Sequence, residues 1–251
     1  MSDSPSPLVA LVSMLRARRV RKPQPMGDRV VDHSQLAGVL EALRTEGIAG
    51  LNSERQRIAD YQAYLAEIDP DILSSPGALA YWLNLYNAGA LDLAAETYEQ
   101  GRASVLRTPG AFHLPRVTVA GERLSLDDIE HGKVRRFRDP RIHAALVCGS
   151  ASCPTLRFEP YDGTRLEQQL EEQVSDFLAG GGAMRNGPQL MLSRIFLWYG
   201  ADFVRPHRMP SLLPVGKKAL RRALIPWLGA PDSDEQVVFQ PYDWALACSI
   251  R

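Results

Sequence analysis

The chain has 251 residues, 45 % of them hydrophobic, with 29 basic and 29 acidic side chains that cancel to a formal net charge of zero. A chain this long can bury a sizeable core unaided, its three cysteines are too few for a disulfide framework, and zero net charge gives no electrostatic reason to expect nucleic acid. No apolar run reaches the roughly 18 residues that a membrane span needs.

The first segment, "PLVALVSMLRARRVRKP", places its apolar stretch before Arg16, Arg18, Arg19, Arg21 and Lys22, the reverse of a secretory signal. This segment is expected to be a frayed amphipathic helix or a mobile arm, with residues 1–28 as the arm; a weaker reading makes it a basic amphipathic contact for acidic lipid surfaces. From "DHSQLAGVLEALRTEG" onward apolar residues recur at helical spacing, with Asp32 or Ser34 as the cap and Gly47 as the stop. "NSERQRIADYQAYLAEIDP" predicts a second helix ending before Pro70. "SSPGALAYWLNLYNAGALDLAAETYEQG" predicts a third, apolar on nearly every side, with Ser75 as its cap and Pro76 in its first turn.

The pattern then changes. "RVTVAGERLSL" alternates around Ala120-Gly121, which predicts a hairpin. Ser125 followed three residues later by Asp128 resembles a capping box. "RIHAALVC", bordered by Asp139-Pro140 and Gly149, is expected as a buried strand. "TRLEQQLEEQVSDFLAGGG" is an amphipathic helix closed by glycines. "QLMLSRIFLWYGADF" is expected as a strand entering a helix, "KKALRRALIPWLG" as one helix, and "QVVFQPYDWALACSI" as a terminal strand. The basic clusters "VRRFRDPR" and "KKALRR" are expected on solvated helix surface. Helices followed by short mixed strands predict an α+β fold, with helices packed on a short mixed sheet in a single domain over 29–251.

Five segments in order, "YWLNLYNAGAL", "LSLDDIEHGKVRR", "DPRIHAALVCGSASCPTLRF", "LSRIFLWYGADF" and "YDWAL", resemble the family catalogued as domain of unknown function 547, over about 75–247. The resemblance implies no activity. One departure is Val147, where the family often carries a polar residue just before the first cysteine. This weakens a side-chain role at that position and leaves the cysteines untouched.

The chemistry-bearing residues concentrate in "IHAALVCGSASCP". A thiol nucleophile needs a lowered pKa and a nearby base. Cys153, followed by Pro154, is placed at the start of a short helix, where thiolate is favoured. Cys148, at the end of the expected strand, is the second choice. His131 is a candidate base, with Glu130 beside it and Asp127 one helical turn earlier. His143 is the other, on the strand face opposite Cys148. Asn84 and Asn87, three residues apart, are candidates to orient the base, or else to bond backbone and lock a loop. The Gly149–Ser152 turn is the candidate oxyanion site.

These residues fit a thiol-dependent hydrolase or acyl-transferase of papain-like or transglutaminase-like logic, acting on a small molecule or a peptide. The alternative is a non-catalytic binding or scaffolding module with a rigid polar core. Cys148, Cys153, His131 and His143 could ligate zinc, but C-x4-C without a second close pair argues against it. A Cys148–Cys153 disulfide is a further option, although "CGSASC" is not the C-x-x-C redox motif. No nucleotide-binding loop occurs, and neither a metal nor another cofactor is expected. The low cysteine count fits a reducing cytoplasm, or a periplasm with at most one bridge.

Overall fold

The computed structural model describes residues 7–17, 19–211 and 213–251. Within the segment expected as an arm, Pro7–Ala17 forms helix α1, which lies against a later helix, α5 (Leu126–Gly132). Ala17 is fully buried there, and Arg16 pairs with Asp128 at 3.3 Å. Residues 1–6 of that segment lie outside the described residues. Helix α2 (Ser34–Glu46) starts after His33, with Asp32 accepting the Ser34 N–H, and it ends at Gly47. Helix α3 (Ile48–Ala66) packs against both α2 and α4 (Ser75–Glu99). The cap of α4 is Ser74, one residue before the expected one; its hydroxyl accepts the Gly77 N–H.

Helix α4 is the hub of the molecule. Almost all its residues between Gly77 and Thr97 are buried, as its lack of a polar face requires. Strands β1 (Val117–Val119) and β2 (Glu122–Leu124) form the expected antiparallel hairpin, with Val117 opposite Leu124. Its turn residues Ala120 and Gly121 both take positive φ, +49° and +79°, the primed-turn geometry that matches strand twist. Helix α5 follows, opened by the capping box: Ser125 Oγ accepts the Asp128 N–H, and Asp128 Oδ2 accepts the Ser125 N–H. A 3-10 turn, Val134–Phe137, continues it.

"RIHAALVC" is not a strand. Ile142–Ala145 form a short helix, α6, after which the chain is extended. Asp139-Pro140 is a helix start and not a strand border: Asp139 Oδ1 accepts the Arg141 N–H, and the Asp139 and Pro140 carbonyls accept the Ile142 and His143 N–H groups. A short apolar run cannot be assigned by period alone.

Helix α7 (Leu166–Phe177) runs into a wide turn over Leu178–Gly182. Strands β3 (Ala183–Asn186) and β4 (Gln189–Leu192) pair antiparallel, and α8 (Ile195–Val204) follows. The expected single helix near the end is two, α9 (Lys217–Ala223) and α10 (Ile225–Leu228), because Pro226 has no N–H to continue the ladder. Strand β5 (Gln236–Phe239) pairs parallel with β4, giving the mixed order β3-β4-β5. The α+β expectation holds, with a two-stranded and a three-stranded sheet. The last residues make only single bridges, Ser150 with Leu246 and Leu156 with Ile250, so the terminal strand is shorter than expected.

Two apolar clusters result. One gathers α2, α3, α4 and α5; the other gathers α7, β4, α8, α9 and β5. Helix α6 lies on the seam, since Ala145 belongs to the first and Ala144 to the second. No helix among the described residues is long and apolar enough to cross a membrane.

Candidate active site

A pocket of about 420 Å³ opens at this seam, within the size range of small-molecule sites. Its walls include Glu130, His131, His143, Cys148 and Cys153 from the residues singled out above, together with Tyr86, Arg135, Tyr199, Tyr242 and Trp244.

The hydrogen-bond partners of Asn84 and Asn87 are backbone groups and not a histidine. Each clamps backbone at two points. Asn84 donates to Tyr161 O (2.8 Å) and accepts the Tyr161 N–H (2.9 Å). Asn87 donates to Ala145 O (3.0 Å) and accepts the Val147 N–H (3.1 Å), which fixes the chain as it leaves α6 toward Cys148. This is the locking role rather than the orienting one. Asn87→Ala strips both bonds from buried backbone and is expected to cost about 2–3 kcal/mol of stability. Urea unfolding measures it, and a loss within error of zero would refute the clamp.

His131 does not pair with Asp127 either. The Asp127 carboxylate lies 2.5 Å from His113 Nδ1, which raises the pKa of His113. His131 Nδ1 faces Arg135 Nη1 at 3.2 Å. Arginine can only donate, so this nitrogen accepts and the His131 proton sits on Nε2. Burial, reinforced by Arg135, lowers the His131 pKa to about 3. A ring so hard to protonate is a poor base but a stable N–H donor.

His143 is the better-arranged imidazole. Its Nε2 lies 2.9 Å from Asp202 Oδ2. Asp202 also accepts from Arg135 Nε at 2.8 Å and from the Ser211 N–H at 3.0 Å. Burial pushes the Asp202 pKa up, but the His143 bond, Arg135 and the Ser211 N–H outweigh it and hold the group ionised. Burial lowers the His143 pKa more than Asp202 raises it. The ring is therefore neutral, with Nε2–H donating to the carboxylate and Nδ1 left as the basic nitrogen. Tyr199 stacks on it at 4.0 Å between ring centres. Glu130 is hydrogen-bonded to Tyr86 Oη (3.5 Å) and to Tyr199, and burial raises its pKa.

Cys148 and Cys153 are joined as a disulfide, and both are only part-buried. Cys153 does not open a helix; it closes a turn in which its N–H donates to Ser150 O. The proposed oxyanion turn is also largely spent, because the Ala151 and Ser152 N–H groups donate to Ala245 O and Asp243 O. What reaches the Cys153 sulfur is the Cys148 N–H at 3.0 Å and the Tyr242 hydroxyl at 3.4 Å. The hydrogen-bond partners of the two sulfurs are backbone and hydroxyl groups, and no imidazole is among them. Nor do the two cysteines and two histidines form a ligand set: among the described residues no three His, Cys, Asp or Glu side chains are placed to hold a metal ion.

Residues 70–178 match the family model described as "Protein of unknown function, DUF547". Over these residues the chain is similar to DUF547 proteins. No curated protein and no solved structure matches it. The match holds Glu130, His131, Arg135, His143 and both pocket cysteines, but it ends before two of the five resembling segments. Those two supply Tyr199 from α8 and Tyr242 and Trp244 from the C-terminal segment to the wall, and Asp202 from α8 as the partner of His143. The DUF547 region thus carries the thiols and imidazoles, and the chain beyond it completes the pocket wall.

Sequence reasoning missed Arg135, Tyr199, Asp202 and Tyr242. A signal existed for Arg135, which lies four residues after His131, and for Tyr199 and Asp202, three apart on one helix face. With its basic neighbours Arg135 reads as solvated surface, yet it is 1 % exposed. Arg221, in the second basic cluster, is also buried and pairs with Glu235.

Proposed function

We propose that the pocket is the active site of a thiol-dependent hydrolase or acyl-transferase, competent when the Cys148–Cys153 bond is reduced. The observation that supports this reading is that His143, bonded to Asp202, and Cys153 border one cavity. In this scheme Cys153 is the nucleophile, and its thiolate is favoured by the Cys148 N–H and the Tyr242 O–H. His143 Nδ1 is the base and Asp202 fixes its tautomer, the role first assigned to an asparagine. His131 Nε2–H is the donor for a developing oxyanion. Glu130, whose pKa burial raises, lines the same pocket as the candidate acid for the leaving group. Trp198, Tyr242 and Trp244 pack together at the mouth, with ring centres 4.4–5.7 Å apart. They suit a small molecule or peptide end with an apolar or aromatic group. A pair that must be reduced to act fits the cytoplasm.

The binding-module reading draws on a different observation: the Asn84 and Asn87 clamps and the Arg135–Asp202 bonds make the polar floor rigid, and neither sulfur touches an imidazole. Iodoacetamide separates the two. After reduction, Cys153 is expected to be alkylated at least about ten times faster than Cys248, whose pKa burial pushes up to about 12. His143→Gln should slow this at pH 7 and much less at pH 9, where the thiol ionises unaided. Labelling of neither Cys153 nor Cys148 would leave the binding module as the surviving reading.

A further inference from the structure

The Cys148–Cys153 disulfide faces a cavity. Both residues are part-buried and both line the 420 Å³ pocket. The four residues between them close into a tight turn, because Gly149 takes φ +74° and the Cys153 N–H reaches back to Ser150 O at 3.0 Å. A side chain at 149 would be strained at that φ, and its Cβ would press on Val105 at 3.1 Å.

The pair also has its own donors. Ser150 Oγ lies 3.0 Å from Cys148 Sγ. Tyr242 Oη lies 3.3 Å from Cys148 Sγ and 3.4 Å from Cys153 Sγ. The two hydroxyls are 2.8 Å apart, so a proton can pass between them. The Cys148 N–H adds a fixed donor to Cys153 alone. Burial raises the Tyr242 pKa to about 12, so this phenol remains a donor at neutral pH. A disulfide that only braces a fold needs neither donors on its sulfurs nor space in front of them. Thiol–disulfide exchange needs both, because a thiolate attacks and a thiolate leaves at each step.

We propose that the reduced Cys148–Cys153 pair reduces small-molecule disulfides that enter this pocket. The Cys153 thiolate attacks one sulfur of the substrate RSSR′. The substrate S–S bond breaks and R′S⁻ leaves, stabilised by the Tyr242 O–H hydrogen bond and then protonated from solvent. Cys153 is now in a mixed disulfide with RS. Cys148 gives its proton through Ser150 to solvent and attacks Cys153 Sγ, expelling RS⁻, which is protonated in turn. The products are RSH, R′SH and the intramolecular disulfide. Two electrons have passed from the cysteine pair to the substrate, and an external dithiol returns them. This activity does not depend on the acyl-transfer reading, since no acyl group takes part.

The test uses the full chain, reduced with dithiothreitol, freed of it, and mixed with hydroxyethyl disulfide; intact mass and peptide mapping follow the thiols. In wild type, the pair is expected to close at least ten-fold faster than free cysteine reacts at the same pH, with no lasting adduct. Cys148→Ser should retain a hydroxyethylthio group on Cys153. Tyr242→Phe should slow closure at least five-fold while the circular dichroism stays unchanged. A Cys148→Ser/Cys153→Ser double variant sets the background from Cys248. Closure no faster than free cysteine, or a Cys148→Ser variant that carries no adduct on Cys153, would overturn the proposal. The assay contains no ester or amide, so either result is independent of whether the pocket transfers acyl groups.

Discussion

Asp202→Ala is expected to destabilise the protein by about 3–5 kcal/mol, the cost of leaving a buried charge without its partner. Asp202 is fully buried and Arg135 is 1 % exposed. The carboxylate takes three bonds, from Arg135 Nε, His143 Nε2 and the Ser211 N–H. After its removal, Arg135 retains bonds to His131 Nδ1 and Ser211 O, and neither carries the negative charge that offsets its desolvation. The comparison that isolates this cause is the double variant Arg135→Met/Asp202→Leu. With both charges gone no ion is stranded, so the pair of changes should cost less than Asp202→Ala alone. Urea unfolding midpoints measure all of these. A double variant less stable than Asp202→Ala would mean that packing, not the uncompensated charge, sets the penalty.

The same network shows what the sequence made legible. Helix α4 was readable because twenty-odd positions with no polar face can only be buried, and the capping box and hairpin were readable because each is a local rule. Asn84 and Asn87 were recognised as needing partners, and their locking role was among the readings left open. The partners themselves were not legible: Tyr161 lies 77 residues from Asn84, and Val147 lies 60 from Asn87. Arg135 and Asp202 failed for a related reason. Arg135 stands in a basic cluster that reads as solvated surface, Asp202 in an apolar aromatic stretch where it had no visible partner, and the bond that joins them spans 67 residues. At Cys153, the local rule that places Pro in a first helical turn gave the wrong element. Contacts from the C-terminal segment, Ala245 O and Asp243 O, hold residues 151 and 152 in a turn instead.

Acid should weaken the fold well before the carboxylates protonate: between pH 7 and pH 5 a loss of about 3 kcal/mol is expected. Two imidazoles drive it. His33 is buried, with Nδ1 2.6 Å from the Tyr61 hydroxyl and Nε2 without a partner atom. Burial lowers its pKa to about 4, more than the nearby carboxylates of Asp162 and Asp32 can restore. His131 is lowered further, to about 3, by burial and by Arg135. Below pH 6.5 the unfolded chain takes up these two protons and the folded chain does not. The unfolded state therefore binds more protons, and stability falls as pH falls, by about 1.4 kcal/mol per pH unit for each imidazole. His143 is lowered too and acts in the same direction. Glu130, whose pKa is raised, opposes them, but it is one group against three. The stabilisation from His113, whose pKa is raised by Asp127, is already complete below 6.5 and adds no slope there. Urea midpoints at pH 7, 6 and 5 test the sum, and a flat or rising series would refute it. His33→Gln removes one of the two titrations, so a folded variant should show a visibly shallower decline, with the remainder set by the imidazoles of the pocket.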